Sequence, residues 1–116
     1  MRALGVIGGW DFNDYILMCK TLDSLHFDRV VSGGAAGADN LAEKYAWEHK
    51  KGLMILPADW NAHGQNAEYQ RSLEIVERSN GVCAFWNGMS TETVHTMQIC
   101  KEKEKPLKVV YYNYGQ

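Results

Sequence analysis

The sequence has little cysteine and no closely spaced cysteine pair. Its three cysteines, Cys19, Cys83 and Cys100, are odd in number and far apart, and no CxxC motif occurs. Disulfide-rich domains and cysteine-based zinc sites both need paired cysteines, so neither is expected. The four histidines fall on different predicted elements, which argues against a metal site built from them. We therefore expect reduced thiols, no metal and no cofactor.

Long apolar runs and an excess of one charge are also missing. No stretch approaches the roughly 18 apolar residues of a membrane span, and the apolar run in the N-terminal MRALGVIGGW is too short for a signal peptide. Twelve basic residues stand against 14 acidic ones, giving a formal net charge of −2. This balance provides no overall positive surface for a nucleic-acid backbone or an anionic membrane. We expect a cytoplasmic protein that binds no membrane, and nucleic-acid binding is disfavoured.

Short β-prone runs alternate with helical patterns along the chain. The β-prone runs cover residues 4–7, 29–31, 53–56, 81–86 and 107–112. The helical patterns cover about residues 13–25, 38–50, 66–78 and 91–103. This alternation predicts a Rossmann-like α/β fold, a doubly wound sheet of about five mainly parallel strands with helices on both faces, in a single domain over residues 1–116. The second, third and fifth runs are continuously apolar, which predicts strands buried on both faces.

The loops that follow the strands are the candidate binding region, because ligands of doubly wound sheets bind beyond the carboxyl ends of the strands. The first loop is GGWDFND, residues 8–14. Gly8 and Gly9 would let a ligand or another backbone approach closely, and Trp10 would offer a flat face. The alternative is a tight turn in which Trp10 caps the core.

The second loop, SGGAAGAD, leads from a strand straight into a helix. Backbone N–H groups and the helix dipole at such a start attract anions. The loop matches neither GxGxxG nor the Walker A motif. Asp39 has three interpretations: a residue of the first helical turn, an acceptor for a ribose or base, or an anchor for the loop. The candidate ligand-binding residues here are Ser32, Gly33, Gly34, Gly37 and Asp39.

The third loop, PADWNAHGQNAEYQRS, is long for an α/β connection, which favours a functional role. Asp59, His63 and Arg71 are its ionisable residues of interest. Arg71 is a candidate phosphate clamp, with an exposed helix arginine as the alternative. A lone histidine such as His63 is more often a surface residue than a catalytic one.

The fourth loop, FWNGMSTETVH, again has small and hydroxyl-bearing residues where a strand passes into a helix. Gly88, Ser90 and Thr93 are the candidates, because such hydroxyls cap a helix or bind a phosphate by the same geometry. Glu92 would repel an anion here unless its side chain points away. Glycine- and hydroxyl-rich loops that share one edge of the sheet predict a phosphate- or nucleotide-binding crevice.

Four segments, VIGGWDF, SGGAAGADNLAEKYA, ADWNAHGQNAEYQRS and AFWNGMSTETVHTM, together resemble the SLOG superfamily in order and spacing. That superfamily groups SMF/DprA-type DNA-processing domains with Lonely Guy-type enzymes. The chain is most similar to the small stand-alone branch, related to YspA and YpsA, of bacteria and phages. The resemblance covers about residues 3–110. It implies a Rossmann-like fold that binds a nucleotide or a nucleotide-derived ligand, such as an ADP-ribose-like or signalling nucleotide.

The resemblance also implies which positions line the pocket. They are Gly8, Gly9, Gly33, Gly34, Gly37, Asp39, Gly88, Ser90 and Thr93, and in the central segment Asp59, Trp60, His63, Gly64 and Arg71. Three positions depart from the family pattern: Trp10 replaces a common Arg or Ser, Ser72 a common Asn, and Glu92 a common Gly. Trp10 thereby removes a phosphate partner and supplies a stacking face, and Glu92 adds a carboxylate beside the expected phosphate turn.

Lonely Guy-type enzymes cleave the N-glycosidic bond of a nucleoside monophosphate with a PGGxGTxxE motif. Here Val94 and Thr96 stand three residues after the two threonines of the turn, so the catalytic glutamate of that motif is missing. The resemblance therefore favours binding over catalysis.

Three functions remain open on the sequence alone. The first is a module that binds a nucleotide-like ligand in the crevice, as a sensor or by sequestering it. The second is an enzyme that cleaves a nucleotide N-glycosidic or phosphate bond, with Asp39, Asp59 and His63 as candidate acid–base groups. The third is a protein- or DNA-interaction module with a vestigial pocket.

Self-association is a further expectation. SLOG domains commonly pair, so the resemblance implies a homo-oligomer. Candidate interface residues are Trp47, Trp60, Trp86 and the terminal tyrosines. Burial of these side chains in the core is the alternative.

Overall fold

The computed structural model describes residues 2–113 and contains a five-stranded sheet in which each strand is parallel to its neighbours. The strands are β1 (Ala3–Gly8), β2 (Arg29–Ser32), β3 (Gly52–Ile55), β4 (Gly81–Trp86) and β5 (Leu107–Tyr111). Their order across the sheet is β3-β2-β1-β4-β5. The chain therefore winds outward from β1 to one edge, returns to pair β4 with β1, and winds to the other edge. This confirms the predicted Rossmann-like, doubly wound fold.

Helices cover both faces of the sheet. They are α1 (Tyr15–Asp23), α2 (Ala38–Glu48), α3 (Trp60–His63), α4 (Ala67–Arg78) and α5 (Thr91–Glu102), with a 3₁₀ turn at Gly64–Asn66. The short helix α3 and the 3₁₀ turn lie in the segment that the sequence predicted as a long loop. Asp59 is the N-cap of α3, and its Oδ1 accepts a hydrogen bond from the amide of Ala62 at 3.0 Å.

The sheet packs against its helices through two hydrophobic cores, one on each face. The core beside α1 and α2 includes Met18, Leu22, Val30, Ala42, Tyr45 and Phe85. The core beside α4 and α5 includes Ile7, Val31, Ile75, Val76, Ala84 and Ile99. Val30 and Val31 of β2 are both fully buried, one in each core. The prediction of a strand buried on both faces is thus confirmed for β2.

The same prediction is wrong for β3 and β5. Leu53 and Ile55 of β3 are 41% and 45% exposed, and Val109 and Tyr111 of β5 are 44% and 59% exposed. Both strands lie at edges of the sheet, so each has a single neighbouring strand and incomplete cover. A continuously apolar run is therefore compatible with an edge strand as well as with a central one.

The candidate interface tryptophans differ in exposure. Trp47 is 84% exposed and Trp60 is 58% exposed. Trp86 is partly buried, and its indole N–H donates to the carbonyl oxygen of Ser90 at 3.1 Å. Tyr114, one of the terminal tyrosines, lies outside the described residues. Self-association stays a prediction.

Of the helices in residues 2–113, none has the length and apolar character needed to cross a lipid bilayer.

Candidate functional site

The two glycine loops pack directly against each other at the carboxyl ends of β1 and β2. The amide of Ala38, the first residue of α2, donates to the carbonyl oxygen of Gly9 at 3.2 Å. Gly37 has a φ of +77°, and a Cβ built on it would collide with the carbonyl oxygens of Gly9 and Trp10. The backbone contact between the loops thus requires a glycine at position 37.

The paired glycines at the end of β1 also have close protein neighbours. A Cβ on Gly8 would lie 2.8 Å from the Cβ of Ala38 and 2.6 Å from the carbonyl oxygen of Phe85. A Cβ on Gly9 would collide with the hydroxyl of Tyr112. Because α2, β4 and the residue after β5 all approach here, no side chain fits without displacement of its neighbours.

Asp39 is buried in the first turn of α2 and anchors the loop that precedes it. The side chain is 7% exposed, and its Oδ2 accepts a hydrogen bond from the amide of Ala35 at 3.1 Å. Burial raises the pKa of Asp39 to about 6, while the Ala35 hydrogen bond and the charge of Arg71 act in the opposite direction. The geometry supports the anchoring interpretation of this carboxylate.

Another amide of the second loop is also bonded inside the protein. Gly34, which has a φ of +78°, donates its amide hydrogen to Oγ of Ser32 at 3.2 Å. Ser32 is fully buried, and its hydroxyl in turn lies 3.4 Å from the carbonyl oxygen of Asp39. Several of the donors that the sequence offered to an anion are therefore engaged by protein oxygens.

Arg71 connects α4 to the second glycine loop. Its Nη1 donates to the carbonyl oxygen of Gly33 at 3.0 Å. A Cβ on Gly33 would collide with this guanidinium and would lie 2.9 Å from Oδ2 of Asp39. Gly33 therefore leaves room for the arginine, and the alternative of an exposed helix arginine is wrong.

A cavity of about 420 Å³ opens between α4 and α5 at the carboxyl end of β1. It is lined by Ile7, Gly8, Asp39, Gln65, Asn66, Glu68, Tyr69, Arg71, Ser72, Ile75, Glu92, Thr93, His95 and Thr96. Of the candidate binding residues predicted from the sequence, four line this cavity: Gly8, Asp39, Arg71 and Thr93.

The other candidates lie outside the lining of this cavity. They are Gly9, Trp10, Ser32, Gly33, Gly34, Gly37, Asp59, Trp60, His63, Gly64, Gly88 and Ser90. Asp59 and His63 line a neighbouring groove of about 300 Å³ that shares Arg71 with the cavity. Trp10 is 80% exposed, so the alternative in which it caps the core is wrong.

Sequence reasoning did not identify most of the cavity wall. Glu68, Tyr69 and Ser72 of α4, and His95 and Thr96 of α5, line the cavity without having been candidates. The spacing of these residues was a signal that could be seen in the sequence. Residue 65 and the α4 residues Glu68, Tyr69 and Ser72 follow the i, i+3, i+4, i+7 pattern of a single helical face. A polar face of this kind at the start of a helix could have been read as part of a site.

Two acidic side chains meet between the cavity-lining helices. The carboxyl of Glu92 on α5 forms a hydrogen bond with the carboxyl of Glu68 on α4. This bond raises the pKa of Glu92, burial and the charge of Glu68 act in the same direction, and Arg71 and His95 act against them. Glu92 also lines the cavity. The sequence predicted that Glu92 would repel an anion at this turn unless its side chain pointed away, and the side chain does not point away.

The turn before α5 uses its polar groups locally. Oδ1 of Asn87 accepts hydrogen bonds from the amides of Met89 and Ser90, each at 2.8 Å. Oγ of Ser90 accepts from the amide of Thr93 at 3.4 Å and from its hydroxyl at 3.2 Å. Ser90 is therefore the N-cap of α5.

Within residues 2–113, no group of three or more His, Cys, Asp or Glu side chains is arranged to hold a metal ion. The polar lining of the cavity is instead mixed, with carboxyls, a guanidinium, amides, hydroxyls and an imidazole. Such a lining suits an organic ligand that both donates and accepts hydrogen bonds.

Comparison with known proteins shows two similarities. The model of a family described as "YspA, cpYpsA-related SLOG family" matches residues 5–63, from β1 through α3. The gene 61 protein of Mycobacterium phage D29 is 38% identical over 118 residues, which cover 92% of this chain and 94% of the phage protein. The first similarity includes both glycine loops, and the second extends over most of the chain.

Proposed function

Because the chain belongs to the YspA, cpYpsA-related SLOG family, we propose that it binds a nucleotide or nucleotide-derived ligand in its cavity, as a sensor or a sequestering module. The observation that supports this proposal is where the cavity opens. It lies at the carboxyl end of β1, between helices that precede and follow β4, and β1–β4 is the pair at which strand order reverses. Ligands of doubly wound folds bind at this point.

The size and lining of the cavity are consistent with such a ligand. A volume of about 420 Å³ falls within the range of small-molecule sites. Arg71 uses one N–H group on Gly33, which leaves further guanidinium donors for a phosphate or a base carbonyl. Tyr69, which is 51% exposed at the cavity, offers a ring face for stacking.

Calorimetric titration with nucleosides, nucleoside phosphates, NAD and ADP-ribose tests the proposal. Arg71→Gln removes the cavity guanidinium, and we expect it to weaken binding by about tenfold or more, as for the loss of a charged hydrogen bond. Arg78→Gln is the matched control, because Arg78 lies on the same helix, is 54% exposed and pairs with Glu74 away from the cavity. It should bind as the wild type does.

Two results would contradict the proposal. One is that no compound of this panel binds to the wild-type protein and no nucleotide-class molecule co-purifies with it by mass spectrometry. The other is that Arg71→Gln and Arg78→Gln bind the same ligand equally well. A thermal melt of both variants is needed beside the titration, because Arg71 also holds the second glycine loop.

A second candidate, cleavage of a nucleotide N-glycosidic bond, is favoured by the hydrogen-bonded pair Glu68–Glu92. A general acid must hold a proton at working pH, and a carboxyl pair can do so. Of the acid–base groups named from the sequence, Asp39 lines the cavity, whereas Asp59 and His63 line the neighbouring groove. Incubation with nucleoside monophosphates and NAD, followed by chromatography, tests this candidate. If neither free base nor ribose phosphate is released at high protein concentration, it is wrong.

A further inference from the structure

The helices on either side of the cavity are joined by acidic side chains. Glu92 lies in the first turn of α5 and Glu68 in the first turn of α4, and both line the cavity. Their carboxyls form a hydrogen bond, which needs a proton on one of them. The pair thus presents several oxygen acceptors, one hydroxyl donor and close to one negative charge.

The charges that line the cavity do not balance among the described residues. Asp39 adds a further carboxyl, while Arg71 carries the one permanent positive charge of the lining. Part of that guanidinium is already bonded to Gly33. His95 also lines the cavity. One negative charge on the Glu68–Glu92 pair and one on ionised Asp39 stand against the single permanent positive charge of Arg71, so the carboxyls are in excess.

The start of α5 offers little to a phosphate chain. Glu92 occupies the first turn, where the helix dipole and free amides would otherwise attract an anion. The amides of Met89 and Ser90 already donate to Asn87. A phosphate at this turn would meet a carboxyl and few free donors.

We propose that the Glu68–Glu92 pair selects the ligand by charge, so that the cavity takes a nucleoside or a nucleoside monophosphate and rejects di- and triphosphates. The inference rests on the proposed function, because it assumes a nucleotide-class ligand. Carboxyl oxygens accept hydrogen bonds from the hydroxyl and amino groups of ribose and base. The remaining donors of Arg71 can bind one phosphate, whereas each further phosphate adds charge against the same carboxyls.

Calorimetric titration with a nucleoside, its monophosphate and its triphosphate, in the adenine, guanine, cytosine and uracil series, tests this selection. In the series that binds, we expect the nucleoside or monophosphate to bind wild type about tenfold or more tighter than the triphosphate. In the double variant Glu68→Gln/Glu92→Gln, which removes the single negative charge of the pair, the affinity for the triphosphate should rise about tenfold relative to the nucleoside. Glu102→Gln is the matched control, because it removes the same charge from the exposed far end of α5. It should leave the ratio unchanged.

The outcomes separate this inference from the proposed function. If the triphosphate binds wild type as tightly as the nucleoside, or if Glu68→Gln/Glu92→Gln and Glu102→Gln give the same ratio, the inference is overturned and the proposed function stands. If no member of any series binds wild type, the inference is overturned, and the proposed function is overturned as well only if NAD and ADP-ribose also fail to bind and no nucleotide-class molecule co-purifies. Should a circular dichroism melt show that the double variant is unfolded, wild type titrated at increasing salt replaces it. Screening of the carboxyls should bring the affinity for the triphosphate closer to that for the nucleoside, and an unchanged ratio would overturn the inference.

Discussion

Replacement of Gly37 by alanine tests whether the two glycine loops pack as the structure describes. Gly64 provides the control, because the two glycines have nearly the same backbone conformation. Gly37 has φ +77° and ψ −125°, and Gly64 has φ +56° and ψ −127°. An alanine at either position therefore has a similar backbone strain, about 1–3 kcal/mol.

The two positions differ in what surrounds the added methyl group. At Gly37 it would collide with the carbonyl oxygens of Gly9 and Trp10, whereas at Gly64 no atom lies within 4 Å. Relief of the collision requires the loops to separate, which would lengthen the 3.2 Å hydrogen bond from Ala38 to Gly9. Overpacking of this kind adds about 1–3 kcal/mol. The total for Gly37→Ala is about 2–6 kcal/mol, a large part of the stability of an ordinary domain.

Urea unfolding followed by circular dichroism measures both variants. We expect the free energy of unfolding to fall by about 1–3 kcal/mol more in Gly37→Ala than in Gly64→Ala. Equal losses, within about 0.5 kcal/mol, would refute the loop packing, because the shared backbone strain would then explain both. A nucleotide-class ligand that binds both folded variants alike would further show that Gly37 serves packing rather than access for the ligand.

Three further predictions concern single side chains. Burial raises the pKa of Asp39 from 3.8 to about 6, so the folded state binds a proton at a higher pH than the unfolded state does. Relative to Asp39→Asn, the free energy of unfolding should therefore fall by up to about 3 kcal/mol as the pH rises from about 4 to 7. A pH-independent difference in urea titrations would contradict this. Burial raises the pKa of the Cys83 thiol to about 12 and that of the Cys100 thiol to about 11. Iodoacetamide at neutral pH should therefore label Cys19 first, and labelling of Cys83 in the folded protein, detected by peptide mass spectrometry, would contradict this prediction. Asp14 caps α1, so Asp14→Ala should lower the free energy of unfolding by about 1 kcal/mol, and an unchanged thermal melt would count against the cap.

The fold could be predicted because its signals are local. The β-prone run at residues 81–86 became β4 with the same bounds, and the apolar periodicity at residues 91–103 became α5 almost unchanged. The rank of each strand within the sheet is not local. Val31 of β2 and Val109 of β5 both lie in continuously apolar runs, and the sequence predicted burial for both. Val31 is fully buried, whereas Val109 is 44% exposed. Which strand lies at an edge depends on pairing between distant segments.

The candidate site was predictable in position but not in composition. A general property of doubly wound sheets directs attention to the strand ends. It made Gly8, Asp39 and Thr93 candidates, and all three line the cavity. Glu68 and His95 were not, because they belong to the cavity only once α4 and α5 pack side by side, an arrangement that no short motif encodes. A glycine pattern also looks the same whether it makes room for a ligand or for a neighbouring loop.

Because amides of the second glycine loop are already hydrogen-bonded within the protein, we expect α4 and α5 to provide most of the contacts to a ligand. An anion bound by backbone amides needs those amides free, yet Gly34, Ala35 and Ala38 each donate theirs to a protein oxygen. A ligand at this loop would have to replace bonds that are already made, so its net gain there is small. The side chains of Arg71 and Glu92 face the cavity and are not fully used by the fold. Under the proposed function, we therefore expect these charges, rather than the glycines that first suggest a phosphate site, to discriminate one nucleotide from another.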